Sequence, residues 1–231
     1  MSDLPVMLKV AGRRCVVVGG GPVAHRRAAA LVQAGARVTV IAPCVESAIA
    51  ELDVTIQRRV YKRGDLAGAA LVVVATDCDQ INQAAADEAK HEGALVNRAD
   101  DPDQGDVVVP AHAHHGPITI AVSTSGVSAA AAAVIRRQLC ASLDPDWPRL
   151  LEIAAPYRVK VQERVDDPSR RTACLRQLTD PRAMALLKAA GPQRLRDYFQ
   201  EQIDAARRTG DDPTHAAEGS AASVETPMVD H

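Results

Sequence analysis

Gly19-Gly20-Gly21-Pro22-Val23-Ala24 fits the pattern GxGxxG/A, with Ala24 at the third position. Small residues at that spacing let a backbone turn tightly and come close to a pyrophosphate, while free N–H groups and a helix dipole favour its negative charge. Gly19, Gly21, Pro22, Val23 and Ala24 are therefore candidates for holding a dinucleotide. A strand-to-helix turn without a ligand uses the same residue types, so the context matters. Here the apolar run Cys15–Val18 precedes the turn and helical spacing follows it, as a dinucleotide site requires. The acid that usually binds ribose at the end of the second strand is missing, since the stretch from Arg37 to Cys44 contains no Asp or Glu. Ribose contacts then fall to the backbone near Pro43 and Cys44, and the pattern does not separate NAD from NADP.

Other groups have chemistry open to them. Thr76 and Asp77 follow the apolar run Leu71–Ala75, on the carboxyl edge where wound parallel sheets take ligands; Asp77 or Asp79 is equally suited to capping the next helix. Asp100-Asp101-Pro102 reads either as the start of a turn or as a carboxylate able to accept a proton. Ser123-Thr124-Ser125-Gly126 offers hydroxyls and N–H groups at a helix start, to cap the helix or cradle a carboxylate. Arg26, Arg98, Arg136 and Arg137 are available for bidentate anion pairing, surface solvation being the default for each. His112-Ala113-His114-His115 has imidazoles for a metal, but reads as a loop before Gly116-Pro117 and lacks helical i,i+4 spacing. Adventitious capture of a divalent ion is the expectation there, and no metal site is assigned.

The elements that must position these groups alternate strand and helix, the rhythm of a parallel sheet covered by helices. Strands are expected at Cys15–Val18, Arg37–Ile41, Val54–Arg58, Leu71–Ala75, Ala94–Val96 and Val107–Val109, with helices over Val23–Ala34 and Asp79–His91. A further strand, Pro117–Ser123, leads into a long helix, Ala129–Ser142. Helices at roughly Leu150–Val165, Arg170–Thr179, Pro181–Ala189 and Pro192–Arg208 follow. The expected architecture is α/β: a Rossmann-like parallel sheet domain over residues 1–111, a small α+β segment over 112–147 and an all-helical segment over 148–208. Residues 209–231 are small, polar and aperiodic and are expected to be a disordered tail.

With 47% hydrophobic residues, the 231-residue chain can build a core, and with only one Trp, one Phe and three Tyr that core must be mainly aliphatic. A base-stacking nucleic-acid surface is not expected. A formal charge of −2 provides no global field for nucleic acid or an anionic membrane. The N-terminus has no signal-peptide pattern, no apolar run is long enough to span a bilayer, and five scattered cysteines without a CxxC pair suit a reducing compartment. A cytoplasmic protein is expected.

Several blocks in order carry a resemblance: Leu4-Pro5-Val6, the run from Cys15 through the glycine turn to Arg27, and Ala34-Gly35-Ala36-Arg37-Val38-Thr39-Val40. Ala75-Thr76-Asp77 with Asn82, Val96-Asn97-Arg98-Ala99-Asp100-Asp101-Pro102, Val109-Pro110 and Ile120-Ala121-Val122-Ser123-Thr124-Ser125-Gly126 complete it. Their order and spacing resemble the precorrin-2 dehydrogenase and sirohydrochlorin ferrochelatase family, closely over about residues 4–142 and loosely to Arg208.

That resemblance implies oxidation of precorrin-2 to sirohydrochlorin with NAD⁺ as hydride acceptor, insertion of ferrous iron in some members, and a homodimer built through the second segment. It implies that Asp100 is the essential carboxylate, accepting a proton or orienting pyrrole N–H groups, and that Thr76, Asp77 and Asn97 line the cofactor site. Arg98, Ser123, Thr124 and Ser125 are the residues implied to face the tetrapyrrole carboxylates. Some members have a proline after the serine matching Ser128, where this chain has Ala129, so the helix entry differs. Other members carry a fused methyltransferase, and this chain resembles the stand-alone form. The alternative is a nucleotide-sensing Rossmann module, which would bind NAD without using an acid at Asp100; chelation without redox turnover is a third possibility, against which the intact glycine turn speaks.

Overall fold

A computed structural model describes residues 3–208 of the chain; the expected tail lies outside the described residues. The first elements are β1 (Arg14–Val18), α1 (Pro22–Gln33), β2 (Arg37–Ile41), α2 (Ser47–Ala50), β3 (Val54–Gln57), β4 (Leu71–Val74), α3 (Asp79–His91) and β5 (Leu95–Arg98). A 3₁₀ turn at Pro102–Gln104 follows, then β6 (Ala111–His115), β7 (Ile118–Val122), α4 (Ala129–Ser142), α5 (Trp147–Arg164), α6 (Pro168–Gln177) and α7 (Pro181–Arg208). The described residues divide into two compact units, 3–111 with 122–134 and 112–121 with 135–208, so the 112–147 segment contributes to both.

The five strands of the first unit are all parallel, in the order β3-β2-β1-β4-β5. The strand order reverses between β1 and β4, the switch point where such sheets open a crevice at their carboxyl ends. Strand residues alternate between two helix-covered faces, which explains why β1 and β4 are nearly continuous valine. Val16, Val18, Val72, Val74 and Val96 pack with Ala85, Ala86 and Ala89 of α3. Cys15, Val17, Val38, Val40 and Val73 pack with Ala24, Ala28 and Leu31 of α1. Alanine on the buried helix faces lets the backbones lie close to the sheet.

In the second unit, Leu150, Ile153, Leu187, Leu195 and Phe199 form the core where α5, α6 and α7 meet. Trp147, Tyr157, Tyr198 and Phe199 gather here, leaving Tyr61 as the only aromatic of the sheet unit; Tyr157 meets Phe199 edge-on at 5.3 Å. Helix α7 is broken at Gly191, whose φ of 78° and ψ of −179° suit glycine alone, so the two helices expected from the sequence exist within it.

Three expectations are corrected. Val107–Val109 is not a strand: Val107 N–H bonds Val96 O, but its carbonyl is taken by the Asn97 side chain, so no ladder extends along β5. His112–His115 is not a loop but the body of β6, paired with β7 across the Gly116 turn. Neither Asp77 nor Asp79 caps α3; the cap position is Cys78, without a side-chain bond. No described helix is long and apolar enough to cross a membrane.

Candidate active site

The glycine turn joins the end of β1 to α1, and its three glycines serve different ends. A side chain on Gly19 would run into the carbonyl of Ala75 beyond β4, and one on Gly20 into the carbonyl of Cys44 beyond β2. These two residues let the neighbouring strand ends close on the turn, and the Glu46 N–H bond to Gly20 O at 2.9 Å fixes the loop carrying Pro43 and Cys44 against it. Gly21, by contrast, faces open space: nothing lies within 4 Å of where its Cβ would be. It is the N-cap of α1, with no side-chain cap, and Pro22 occupies the first turn. The helix N-terminus thus presents uncapped amides, including those at Val23 and Ala24, to an open cradle, which fits a dinucleotide pyrophosphate.

Thr76 and Asp100 stand at the ends of adjacent strands. Because Val74 pairs with Arg98, each lies two residues beyond the same rung of the ladder. Arg98 grips Asp100 with two bonds, Nε to Oδ1 at 2.9 Å and Nη2 to Oδ2 at 2.6 Å, and its Nη1 donates to Gln83 Oε1 at 3.2 Å. Asn82 Nδ2 donates to Asp100 Oδ2 at 3.0 Å. These charge-assisted bonds, Arg98 first and Asn82 second, hold the Asp100 carboxyl down at about 2 against the opposing effect of burial. The carboxylate is therefore a fixed anion at neutral pH, better suited to accepting hydrogen bonds and stabilising positive charge than to acting as a strong base. With Asp79, Gln83, Asp101 and Gln104, this pair lines a pocket of about 360 Å³.

Among the other candidates, Asp77 is exposed. Asn97 is buried on β5; its Nδ2 donates to Val107 O at 2.7 Å, while its Oδ1 is buried without a partner. Ser123, Thr124 and Ser125 form a self-contained turn. Thr124 Oγ1 donates to Ser128 O and accepts from Ser128 N–H, while Ser123 Oγ accepts from Ser125 N–H. Ser128 Oγ accepts from Ala131 N–H and so caps α4 despite Ala129 in place of proline. Among the described residues, no hydrogen bond joins this turn to the Asp100 network. Arg26 and Arg137 are exposed, and Arg136 donates to His112 O at 3.0 Å. The His112 and His114 rings meet edge-on at 5.7 Å, and no group of three His, Cys, Asp or Glu among the described residues is placed to hold a metal.

Comparison with known proteins gives this geometry a family. Residues 6–111 match a family model described as putative NAD(P)-binding. The siroheme synthase of Methylococcus capsulatus is 35% identical over 213 residues, covering 90% of this chain and 45% of that protein. The siroheme synthase of Nitrosococcus oceani is 36% identical over 169 residues, or 71% of this chain and 36% of that protein. The chain thus spans less than half the length of these relatives. The solved structure of SirC, a precorrin-2 dehydrogenase, superposes with a TM-score of 0.70 at 28% identity, covering 88% of this chain and all of that one. The siroheme synthases and SirC together support the precorrin-2 dehydrogenase family for this chain. The SirC match extends through the helical unit, where the sequence patterns are weaker.

Sequence reasoning passed over two residues of the site. Asn82 appeared only as a spacing mark, and Gln83 as an ordinary helix residue. The available signal was a polar residue on the apolar face of α3, in register with Ala85, Ala86 and Ala89, all of them buried.

Proposed function

We propose that this chain oxidises precorrin-2 to sirohydrochlorin in sirohaem biosynthesis, with NAD as cofactor. The observation that carries the reading is Asp100, held ionised at the sheet edge that also bears the open glycine cradle, in a chain that covers the whole of its precorrin-2 dehydrogenase counterpart. Gly19, Gly21, Pro22, Val23 and Ala24 seat the pyrophosphate, Pro43 and Cys44 border the ribose, and Thr76, Asp77 and Asn97 border the nicotinamide end. NAD⁺ supplies the acceptor for the hydride that leaves the macrocycle. The accompanying proton passes from a pyrrole-type N–H or ring carbon to solvent water, while the fixed charge of Asp100 orients the N–H groups and stabilises the positive charge that builds up as the hydride departs. Arg98 serves chiefly by holding Asp100, and Ser123, Thr124 and Ser125 are the proposed contacts for a substrate carboxylate.

Ferrous iron insertion into the product is a second proposed step, supported by the siroheme synthases among the relatives, although no group of three His, Cys, Asp or Glu among the described residues is placed to hold the ion. A homodimer is proposed through α4, which leaves Val134, Ile135 and Leu139 exposed. All five cysteines are free, supporting a cytoplasmic location.

The test is anaerobic incubation with enzymatically generated precorrin-2, with and without NAD⁺, beside an Asp100→Ala variant. NAD-dependent sirohydrochlorin from the wild type that the variant fails to make is the expected result, and adding Fe²⁺ then tests chelation. A wild type that binds NAD and makes no product would overturn the proposal.

A further inference from the structure

Asn82 occupies a place on α3 where packing asks for an apolar residue. It is 1% exposed, on a helix face otherwise made of alanine and the carboxylate Glu88. Burying a side-chain amide is costly unless every donor and acceptor is used. Here all are used, and on only two residues. Oδ1 accepts from Thr76 Oγ1 at 2.6 Å and from Thr76 N–H at 3.3 Å. Nδ2 donates to Thr76 O at 2.9 Å and to Asp100 Oδ2 at 3.0 Å. Glu88, the other polar residue of that face, holds the Tyr61–Leu66 loop through Tyr61 Oη and the N–H groups of Gly64 and Leu66, a structural use remote in kind from Asn82's.

The amide of Asn82 has no freedom to flip, since reversing it would set Nδ2 against the Thr76 N–H and Oδ1 against both Thr76 O and the carboxylate. Its partners are also specific. Thr76 follows Ala75, whose carbonyl lies against Gly19 of the phosphate turn. Asp100 is the acid of the site. We propose that Asn82 is a positioning residue that couples the cofactor edge of β4 to the Asp100 carboxylate, fixing the aim and charge of that group through one saturated amide. The inference deepens the dehydrogenase reading and rests on it for the meaning of Asp100. The bonds themselves do not depend on it.

The charged and polar groups facing Asp100 are Arg98 from β5, Asn82, Gln83 and Asp79 from α3, and Asp101 and Gln104 from the segment after β5. In Asn82→Asp a carboxylate oxygen replaces Nδ2, so Asp100 loses a donor and gains a like charge. Asn82→Leu removes the bonds while keeping an apolar helix face. Both effects push the Asp100 carboxyl upward.

The experiment is a carboxyl ¹³C NMR titration of the full ligand-free chain between pH 4 and 7, for wild type, Asn82→Asp and Asn82→Leu, with Asp100→Asn identifying the signal. NAD⁺ binding, kcat and KM for precorrin-2 are measured alongside. The wild-type Asp100 signal is expected to be flat across that range, and to titrate within it in Asn82→Asp. kcat should fall about tenfold or more, with an acid limb that the wild type lacks. Adding Asp100→Asn to Asn82→Leu should cost little more than the larger single change, because the two residues act as a unit. A signal still flat in a folded Asn82→Asp protein, with kcat within twofold of wild type, would overturn the coupling. If the wild type makes no sirohydrochlorin, the dehydrogenase reading falls, and the ligand-free titration still decides whether Asn82 governs Asp100. If Asn82→Leu fails to fold, the near-isosteric Asn82→Asp decides alone.

Discussion

Replacing Asp100 with asparagine separates its charge from its shape. The amide keeps an acceptor for Arg98 but removes the negative charge that Arg98 and Asn82 stabilise. A carboxyl moved from 3.8 to about 2 carries about 2.4 kcal/mol of differential stabilisation at 1.36 kcal/mol per pH unit. The Asp100 side chain is 26% accessible and the residue as a whole is exposed, so solvent screening reduces that to about 1 kcal/mol. The sign follows from the direction of the shift. A carboxyl lowered in the folded state adds stability above its unfolded value of 3.8, and that stability is lost as pH falls toward 2. Asp100→Asn should therefore be less stable than wild type by about 1 kcal/mol at pH 7, with a gap that narrows between pH 4 and pH 2. Urea unfolding at pH 7 and pH 3 checks this, with equal denaturant slopes as the control that both proteins unfold alike. The same variant should lose at least about 100-fold in kcat between pH 6 and 8, where its stability deficit is too small to unfold it. A gap equally wide at both pH values would refute the assignment of that stability to an ionised Asp100.

Glycine positions in the turn should part by mechanism. Gly20→Ala drives a methyl into the Cys44 carbonyl and should destabilise the fold by about 2 kcal/mol or more, read as a lowered Tm. Gly21→Ala meets nothing, so it should cost under about 1 kcal/mol while weakening NAD⁺ binding tenfold or more, as followed by titration calorimetry. Ser128→Ala removes the acceptor for Ala131 N–H and should cost about 1 kcal/mol in urea unfolding. Leu139→Glu, on the exposed face of α4, should abolish the proposed homodimer in analytical ultracentrifugation without lowering helix content, and a wild type that sediments as a monomer would refute that proposal.

Much of the sheet unit was legible because its elements obey local rules. Short valine-rich runs gave β1, β2 and β4 to within a residue, and the alanine-rich period gave α3. The misses share a cause, which is that partners supplied by the fold outweighed local preference. Val107–Val109 has strand composition, but the Asn97 side chain takes the carbonyl a ladder would need. His112–His115 has no strand signature of its own, and becomes a strand because Ile118–Val122 folds back to pair with it. Asp77 and Asp79 are good capping residues, yet Thr76 Oγ1 takes the Cys78 N–H instead.

The site itself depends on a register that no local pattern encodes. Asp100 was legible as a candidate through the family blocks, but its chemistry was not, because an aspartate before Asp-Pro is an ordinary turn in sequence terms. What fixes its chemistry is the alignment of Val74 with Arg98, which sets Thr76 and Asp100 side by side and leaves α3 to reach both from above with a single residue. A slip of one residue in that pairing would turn Arg98 to the opposite face and bring Asn97 toward α3. Asp100 would then lose the guanidinium that holds it ionised. Because β4 and β5 are joined by α3, the length of that helix and its packing through Ala85, Ala86 and Ala89 select the register. The alanine face of α3 is thus part of what makes Asp100 an acid of the site, and enlarging Ala86 should disturb the Asp100 carboxyl without touching it.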